Sequence, residues 1–552
     1  MLTELKDWKD RSHLPLILKG QRQVGKTYIL EHFGRTEYRN HVLLDLANEP
    51  MSRTIFEDCS DVDSVIDAVS TYKGCDILPN DTLIILDEIQ ESPRARSFLK
   101  RFADDGRYDV AASGSLLGVS DARLGMYKRG PNPDLLPVGS EEHITMHSLD
   151  FEEFLMATGM RKKDIGRIRS DILSGSVLRD TDLEIFSERF RAFMVVGGMP
   201  AAVSAFVEEG MQGVRRVHEG ILSTCINDIN RYNTGIDSVK THQCFQSIPY
   251  QLSESNKRFT YSRIDGGGSR SSAEKYMENL LWIKEAGYGN FSTALRALRH
   301  PLEKFSCPDI FKVYMSDTGL MMSMMGPDSR AAILTGDTAY DLGAVTENIV
   351  AECLMKSGRP IHYYRRTNSN DKIELDMVIE YGGITAIEVK TGAGRDYPSL
   401  KKTLSDRNVS RRVIFEKGNV RRDENGIEHY PHFAAAFLFP GTDGCGEDGL
   451  LKGAVGDPFP ERSQMPAIGM HRPGTADRWS KGVRWYSRIE DILRDIGPEE
   501  GHQRSGSQGG NVESTKNANI MQILPVHFAD NKLFYPCNRY ILHGQGSLRR
   551  AH

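Results

Sequence analysis

Short apolar runs alternate with amphipathic stretches over the first 145 or so residues. The runs span 14–18, 41–46, 83–86, 110–112 and 143–146. Each is too short for a helix, and helical spacing of apolar residues follows the early ones. The alternation predicts strands joined by helices: an α/β fold with a parallel sheet covered on both faces. From 148 to 330 the period becomes helical. SLDFEEFLMATG opens with Ser148 and acids in the first turn, a helix-start signal. Val196-Gly197-Gly198-Met199-Pro200 reads as a turn. AEKYMENLLWIKEAGY sets Leu280, Leu281, Ile283 and Ala286 at apolar positions, after a polar turn at 265–269. Short strands follow, which fits a winged-helix-like unit, and a plain helical bundle has the same pattern. Residues 331–441 return to mixed α/β, with a helix in TENIVAECLMKSG and strands at 361–364, 374–379, 385–389 and 412–415. Beyond 441 the chain turns rich in Gly, Pro and Ser. One short helix is expected at 488–496, and the remainder is expected to be a flexible tail. The division is thus 1–147, 148–330, 331–441 and 442–552.

Between the first strand and the first helix stands GQRQVGKT, Gly20-x-x-x-x-Gly25-Lys26-Thr27. A strand–loop–helix setting is what this phosphate-binding pattern needs. Glycine lets successive backbone N–H groups turn toward phosphates. Lys26 can reach the β- and γ-phosphates, Thr27 can offer its hydroxyl to Mg²⁺, and the helix N-terminus adds its dipole. Gly20, Gln21, Arg22, Gln23, Val24, Gly25, Lys26, Thr27 and Tyr28 are the candidate ATP contacts. By composition alone the pattern arises by chance in roughly a few per cent of chains of this length. A second element decides the matter: TLIILDE is a buried-strand run ending in Asp87-Glu88. Asp87 would stand beside the Mg²⁺, and Glu88 would orient and deprotonate the attacking water. A third strand ends in Ser113-Gly114-Ser115, where Ser113 is the candidate to touch the γ-phosphate or the water; a simple turn is the competing reading.

Charge and composition narrow the classes. The chain has 552 residues, enough for three or four domains, and a net charge of −5, so any nucleic-acid surface must be local. Hydrophobic residues at 39% and charged residues at 26% are ordinary soluble usage. No apolar run nears the ~18 residues of a membrane span, and MLTELKDWKDRSH has no signal-peptide core. Eight scattered cysteines without a CxxC fit reduced thiols and a cytoplasmic location.

A second constellation lies in the C-terminal α/β region: Glu347 on the helix, Asp376 in IELDMVIE, and Glu388-Val389-Lys390 in AIEVKTG. The two-residue period of a strand sets Glu388 and Lys390 on one face. Asp376 and Glu388 on neighbouring strands can share a divalent cation, with Lys390 orienting a water or a developing negative charge. This is the arrangement of PD-(D/E)xK nucleases. Acid-x-Lys is common in a chain with 75 acids, so the order helix-Glu, strand-Asp, strand-Glu-x-Lys carries the reading, and it points to the fold more strongly than to cleavage. Arg365, Arg366 and Lys372 precede Asp376 as phosphate contacts or as a solvated basic loop.

Taken together, LILKGQRQVGKTYIL, LIILDEIQESPRA, ASGSLLGV, LDFEEFL, VGGMPAAV, KVYMSDTGL, ENIVAE, ELDMVIE and AIEVKTG, in this order over about residues 8 to 440, resemble the prokaryotic AAA-type P-loop ATPases with an uncharacterised C-terminal nuclease-like domain. The resemblance implies an ASCE-type ATPase core with Glu88 as catalytic glutamate. It also implies a winged-helix-like middle and a restriction-endonuclease-like C-terminal fold. DNA or a protein partner is then expected, and no membrane. Arg123 and Arg129 follow the third core strand as arginine-finger candidates against a surface salt-bridge reading, and the oligomeric state is not predicted.

Overall fold

The computed structural model describes residues 1–11, 14–116, 139–233, 235–254, 256–264, 273–336, 342–366, 372–392 and 396–440, all within the first of two units, 1–497 and 498–552. The candidates Arg123 and Arg129, the turn at 265–269 and the helix at 488–496 lie outside the described residues.

Five strands form the N-terminal sheet: β1 (Leu16–Gly20), β2 (Asn40–Asp45), β3 (Thr82–Asp87), β4 (Asp109–Ser115) and β5 (Glu142–Met146), in the spatial order β2-β3-β4-β1-β5 and all parallel. This is the parallel α/β sheet expected from the alternation. Side chains along β1 sort by parity. Leu16 and Leu18 pack with Trp8, Leu30 and Phe33 on one face, while Ile17 packs with Phe56, Phe98 and Leu86 on the other. β3 is buried along its whole length, as befits a central strand covered on both faces.

The second sheet has eight strands: β6 (Gly289–Leu295), β7 (Ser306–Met315), β8 (His362–Arg366), β9 (Ile373–Glu380), β10 (Ile384–Val389), β11 (Val409–Glu416), β12 (Arg421–Arg422) and β13 (Glu428–Pro431), in the order β12-β13-β11-β10-β9-β8-β6-β7. β6 pairs in parallel with β8, so the hairpin β6–β7 forms one edge of this sheet and the sheet runs across position 330. Helices Asp180–Val196, Met211–Tyr232 and Gly343–Lys356 share one continuous core with it: Phe151, Phe193, Ile221, Ile349, Val413 and Phe433 belong to a single cluster. Val24 of the phosphate loop belongs to that cluster too, 1% exposed.

A buried polar junction ties these pieces. The Gly198 N–H donates to Asp317 Oδ2 at 2.8 Å, and Leu149 N–H to the Gly198 carbonyl at 2.8 Å. Lys356 Nζ bridges the Leu149 carbonyl (2.8 Å) and Glu352 Oε1 (2.7 Å), while Thr318 donates to Glu352 Oε2. A Cβ on Gly198 would lie 2.0 Å from the Leu149 carbonyl oxygen, so only glycine permits this approach. His218, fully buried, donates from Nε2 to the Val196 carbonyl at 2.9 Å, and its Nδ1 has no partner. Burial lowers its pKa, against the opposing pull of Asp317. Unfolded chain therefore binds a proton near pH 6.5 that the folded chain refuses. The His218 contribution is constant above that pH and is lost as pH falls below it, by up to about 1.4 kcal/mol per pH unit. Thermal unfolding from pH 7.5 to 5 should show this loss, and His218→Gln should reduce its slope; an unchanged slope would refute the assignment.

Among the described residues, no single helix is long and apolar enough to cross a membrane.

Candidate nucleotide site and C-terminal ion cluster

The phosphate loop links β1 to helix Lys26–Glu37. Gly25 sits at φ 98°, left-handed backbone that glycine adopts freely, and as the helix N-cap it has no side chain to occupy the first-turn N–H groups. Gln23 also has positive φ, 65°. Lys26, 6% exposed, donates from Nζ to the carbonyls of Gly20 (3.2 Å) and Gln21 (3.0 Å). Burial lowers its pKa, and Glu88 and Asp87 oppose that shift. Tyr28 is exposed and stacks on His32, 6.2 Å between ring centroids.

Asp87 ends β3 with a buried side chain. Its Oδ1 accepts from the Thr27 hydroxyl at 2.8 Å and from the Ser113 hydroxyl. Ser113 in turn accepts the Glu88 N–H at 3.1 Å. Because β4 lies between β1 and β3, Ser113 stands between loop and acids, and its hydroxyl is spent on holding Asp87 and Glu88. Glu88 has φ 55°, a strained backbone for a residue with a Cβ, which turns its side chain out of the strand; Gln90 Nε2 donates to its Oε2. Thr27 and Asp87 offer adjacent hard oxygens, a donor set that fits Mg²⁺.

Three loop residues are held by helix Met211–Tyr232 and by Ser316, which no spacing in the sequence signalled. Arg22 Nε meets Asp228 Oδ2 at 3.1 Å, and its Nη2 donates to the Tyr232 hydroxyl at 3.1 Å. Gln23 Nε2 donates to Thr224 Oγ1 at 3.3 Å, and the Ser316 hydroxyl donates to Gln21 Oε1 at 3.4 Å.

Glu347 on helix Gly343–Lys356 comes within electrostatic reach of Asp376 and Glu388 on β9 and β10. Glu347 is 1% exposed. Its Oε1 accepts from Lys312 Nζ (2.8 Å) and the Tyr314 hydroxyl (2.5 Å), and Oε2 from Lys257 Nζ. Burial alone would raise its pKa, but the two ammonium groups hold it at about 2. Asp376 Oδ2 accepts the Val389 N–H at 2.9 Å; burial and Glu347 raise its pKa. Glu388 is pushed up to about 7 by burial and Asp376, although Lys390 Nζ donates to its Oε1 at 2.5 Å. Glu388 Oε2 is buried without a partner. Among the described residues no group of three His, Cys, Asp or Glu side chains is placed to hold a metal. Lys257 and Lys312 are the residues the sequence reading missed. Lys312 carried a signal: a lysine inside the apolar strand FKVYM needs a buried partner.

Loop, strand acid and interposed β4 define a P-loop nucleotide site. Residues 12–155 match the model of an AAA domain; 187–331 and 342–432 match domains of unknown function, DUF8612 and DUF4143. The N-terminal domain thus matches an AAA-type P-loop ATPase domain, which supports ATP binding. Among curated proteins none matches. Similar solved structures include AMPPCP-bound DnaA from Aquifex aeolicus, at 13% identity over 51% of this chain and 86% of that one with a TM-score of 0.23. Another is PCH-2 from C. elegans, at 11% identity over 39% of this chain and 63% of that one with a TM-score of 0.20.

Proposed function

We propose that this chain is a Mg²⁺-dependent ATPase whose nucleotide state controls its C-terminal α/β module. The observation that carries the proposal is the bonded set Thr27–Asp87–Ser113–Glu88 at the ends of β3 and β4 and the start of the loop helix. Lys26 and the loop N–H groups balance phosphate charge, and Glu88 takes a proton from the attacking water. Thr27 and Asp87 would hold Mg²⁺, which when bound neutralises charge on the phosphate oxygens. Phosphate release from ATP, measured with and without DNA, tests this; no release under either condition overturns it.

For the module, the order helix Gly343–Lys356, β8, β9, β10, helix Pro398–Lys402, β11 supports a PD-(D/E)xK nuclease-like fold and DNA as partner. Helices Ile236–Leu252 and Ala273–Glu285 followed by β6–β7 support a winged-helix-like unit. A second reading, a slow switch whose C-terminal domain is catalytically inactive and binds a protein partner, is favoured by the saturation of Glu347 with two lysines and a tyrosine. Duplex DNA should be retained and released by rising salt. Plasmid nicking in Mg²⁺ or Mn²⁺ that Asp376→Ala abolishes would establish cleavage, and neither retention nor nicking would leave the switch. The six described cysteines are free, which supports a cytoplasmic location.

A further inference from the structure

Four residues of helix Met211–Tyr232 line one face at helical spacing: Thr224, Asp228, Arg231 and Tyr232. All four touch the ATPase domain. Thr224 bonds Gln23, Asp228 and Tyr232 bond Arg22, and Arg231 meets Glu91, just past the β3 acids, at 3.3 Å. The pair that matters is Arg22–Asp228. Arg22 is in the phosphate loop itself, within electrostatic range of both Lys26 and Glu88. Asp228 is 5% exposed, and the neutral hydroxyl of Tyr288 also donates to its Oδ2 at 2.8 Å.

A guanidinium in a phosphate-binding loop has a second customer. A triphosphate carries several negative charges and presents the paired oxygens that a guanidinium grips best. We propose that Asp228 and bound polyphosphate compete for Arg22, so that nucleotide entry frees helix Met211–Tyr232 from the loop. This rests on the reading that the domain binds ATP and controls the rest of the chain, and it assigns the control to a residue pair. Once Arg22 turns to phosphate, Asp228 is a buried carboxylate that has lost its cation and keeps the neutral Tyr288 donor. That state is costly, and it is relieved by a shift of the last two turns of the helix that opens Asp228 to water. The Gln23–Thr224 and Arg231–Glu91 contacts lie at the surface and are too weak to hold the loop-facing side of the helix, whose opposite face stays in the core. Tyr288 immediately precedes β6, so the movement reaches the edge of the C-terminal sheet.

The test uses the full chain and a non-hydrolysable ATP analogue with Mg²⁺, with binding followed by fluorescence and the helix by hydrogen–deuterium exchange. In the native protein the nucleotide should raise exchange severalfold across residues 224–232. Asp228→Asn should bind nucleotide roughly tenfold more tightly, since one competitor is gone, and nucleotide should no longer raise exchange at 224–232 in it, since no buried charge is stranded. Nucleotide that binds the native protein while exchange at 224–232 stays unchanged overturns the proposal, and this arm needs no variant to fold. Wild-type affinity in a folded Asp228→Asn overturns it as well. Failure of every form to bind nucleotide sinks the underlying reading, and the proposal with it.

Discussion

Glu88→Gln is expected to stop ATP turnover while leaving ATP bound. The substitution keeps the side-chain volume and the Ser113 bond to the backbone N–H, and it removes only the carboxylate that can accept a proton from water. A positioned general base contributes roughly 10²–10⁴-fold, so phosphate release should fall by about that factor. Lys26→Ala should behave differently. Its ammonium is buried at the loop and bonds the loop's own carbonyls, so removing it strips charge and shape from the phosphate cradle together. Loss of nucleotide binding, read by a fluorescent ATP analogue, is the expected result. Ser113→Ala provides the control between them. Its hydroxyl orients Asp87 and Glu88, so turnover should drop while binding persists, and the drop should be smaller than that of Glu88→Gln. Undiminished hydrolysis by Glu88→Gln would place the base elsewhere.

The residues of this site were legible because local pattern and long-range geometry agree there. GQRQVGKT needs a strand before it and a helix after it, and TLIILDE needs only to be a buried central strand; both conditions can be read within a dozen residues. Four strands of the second sheet, β8 to β11, were legible as short apolar runs; β12 and β13 were not. What these runs could not supply was pairing partners. The parallel pairing of β6 with β8 joins residues nearly 70 positions apart, and a hairpin followed by a helix looks the same whether or not it edges a larger sheet. Arg22 and Asp228 are farther apart still, and a variable position in a phosphate loop announces no partner. At the C-terminal acids the sequence pointed to a shared cation, whereas Lys257 and Lys312 lie 90 and 35 residues from the glutamate they neutralise. Their side chains enter from a loop and from the edge strand β7, elements whose placement depends on the whole sheet.

That neutralisation predicts opposite signs for two acids in one cluster. Glu347→Ala is expected to destabilise the fold by roughly 3–5 kcal/mol, because it strands the buried Lys312 ammonium, takes the partner from the part-exposed Lys257 and leaves the Tyr314 hydroxyl without its acceptor. Asp376 is in range to share part of that charge, which sets the lower end. Asp376→Asn should instead be neutral or stabilising by about 1 kcal/mol, since it removes a carboxylate crowded by Glu347 and Glu388 and retains an oxygen for the Val389 N–H. Chemical denaturation of the two variants, read at the unfolding of the C-terminal sheet, measures both. The contrast separates roles that activity alone would merge. An acid whose removal collapses the fold is a structural counter-ion to Lys257 and Lys312. An acid kept beside a like charge, as Asp376 is beside Glu388, and removable without cost to stability would instead point to a binding role. Equal destabilisation by both substitutions would mean that the cluster is only a buried ion network. Loss at Glu347 alone would leave Asp376, Glu388 and Lys390 as the working edge of the module.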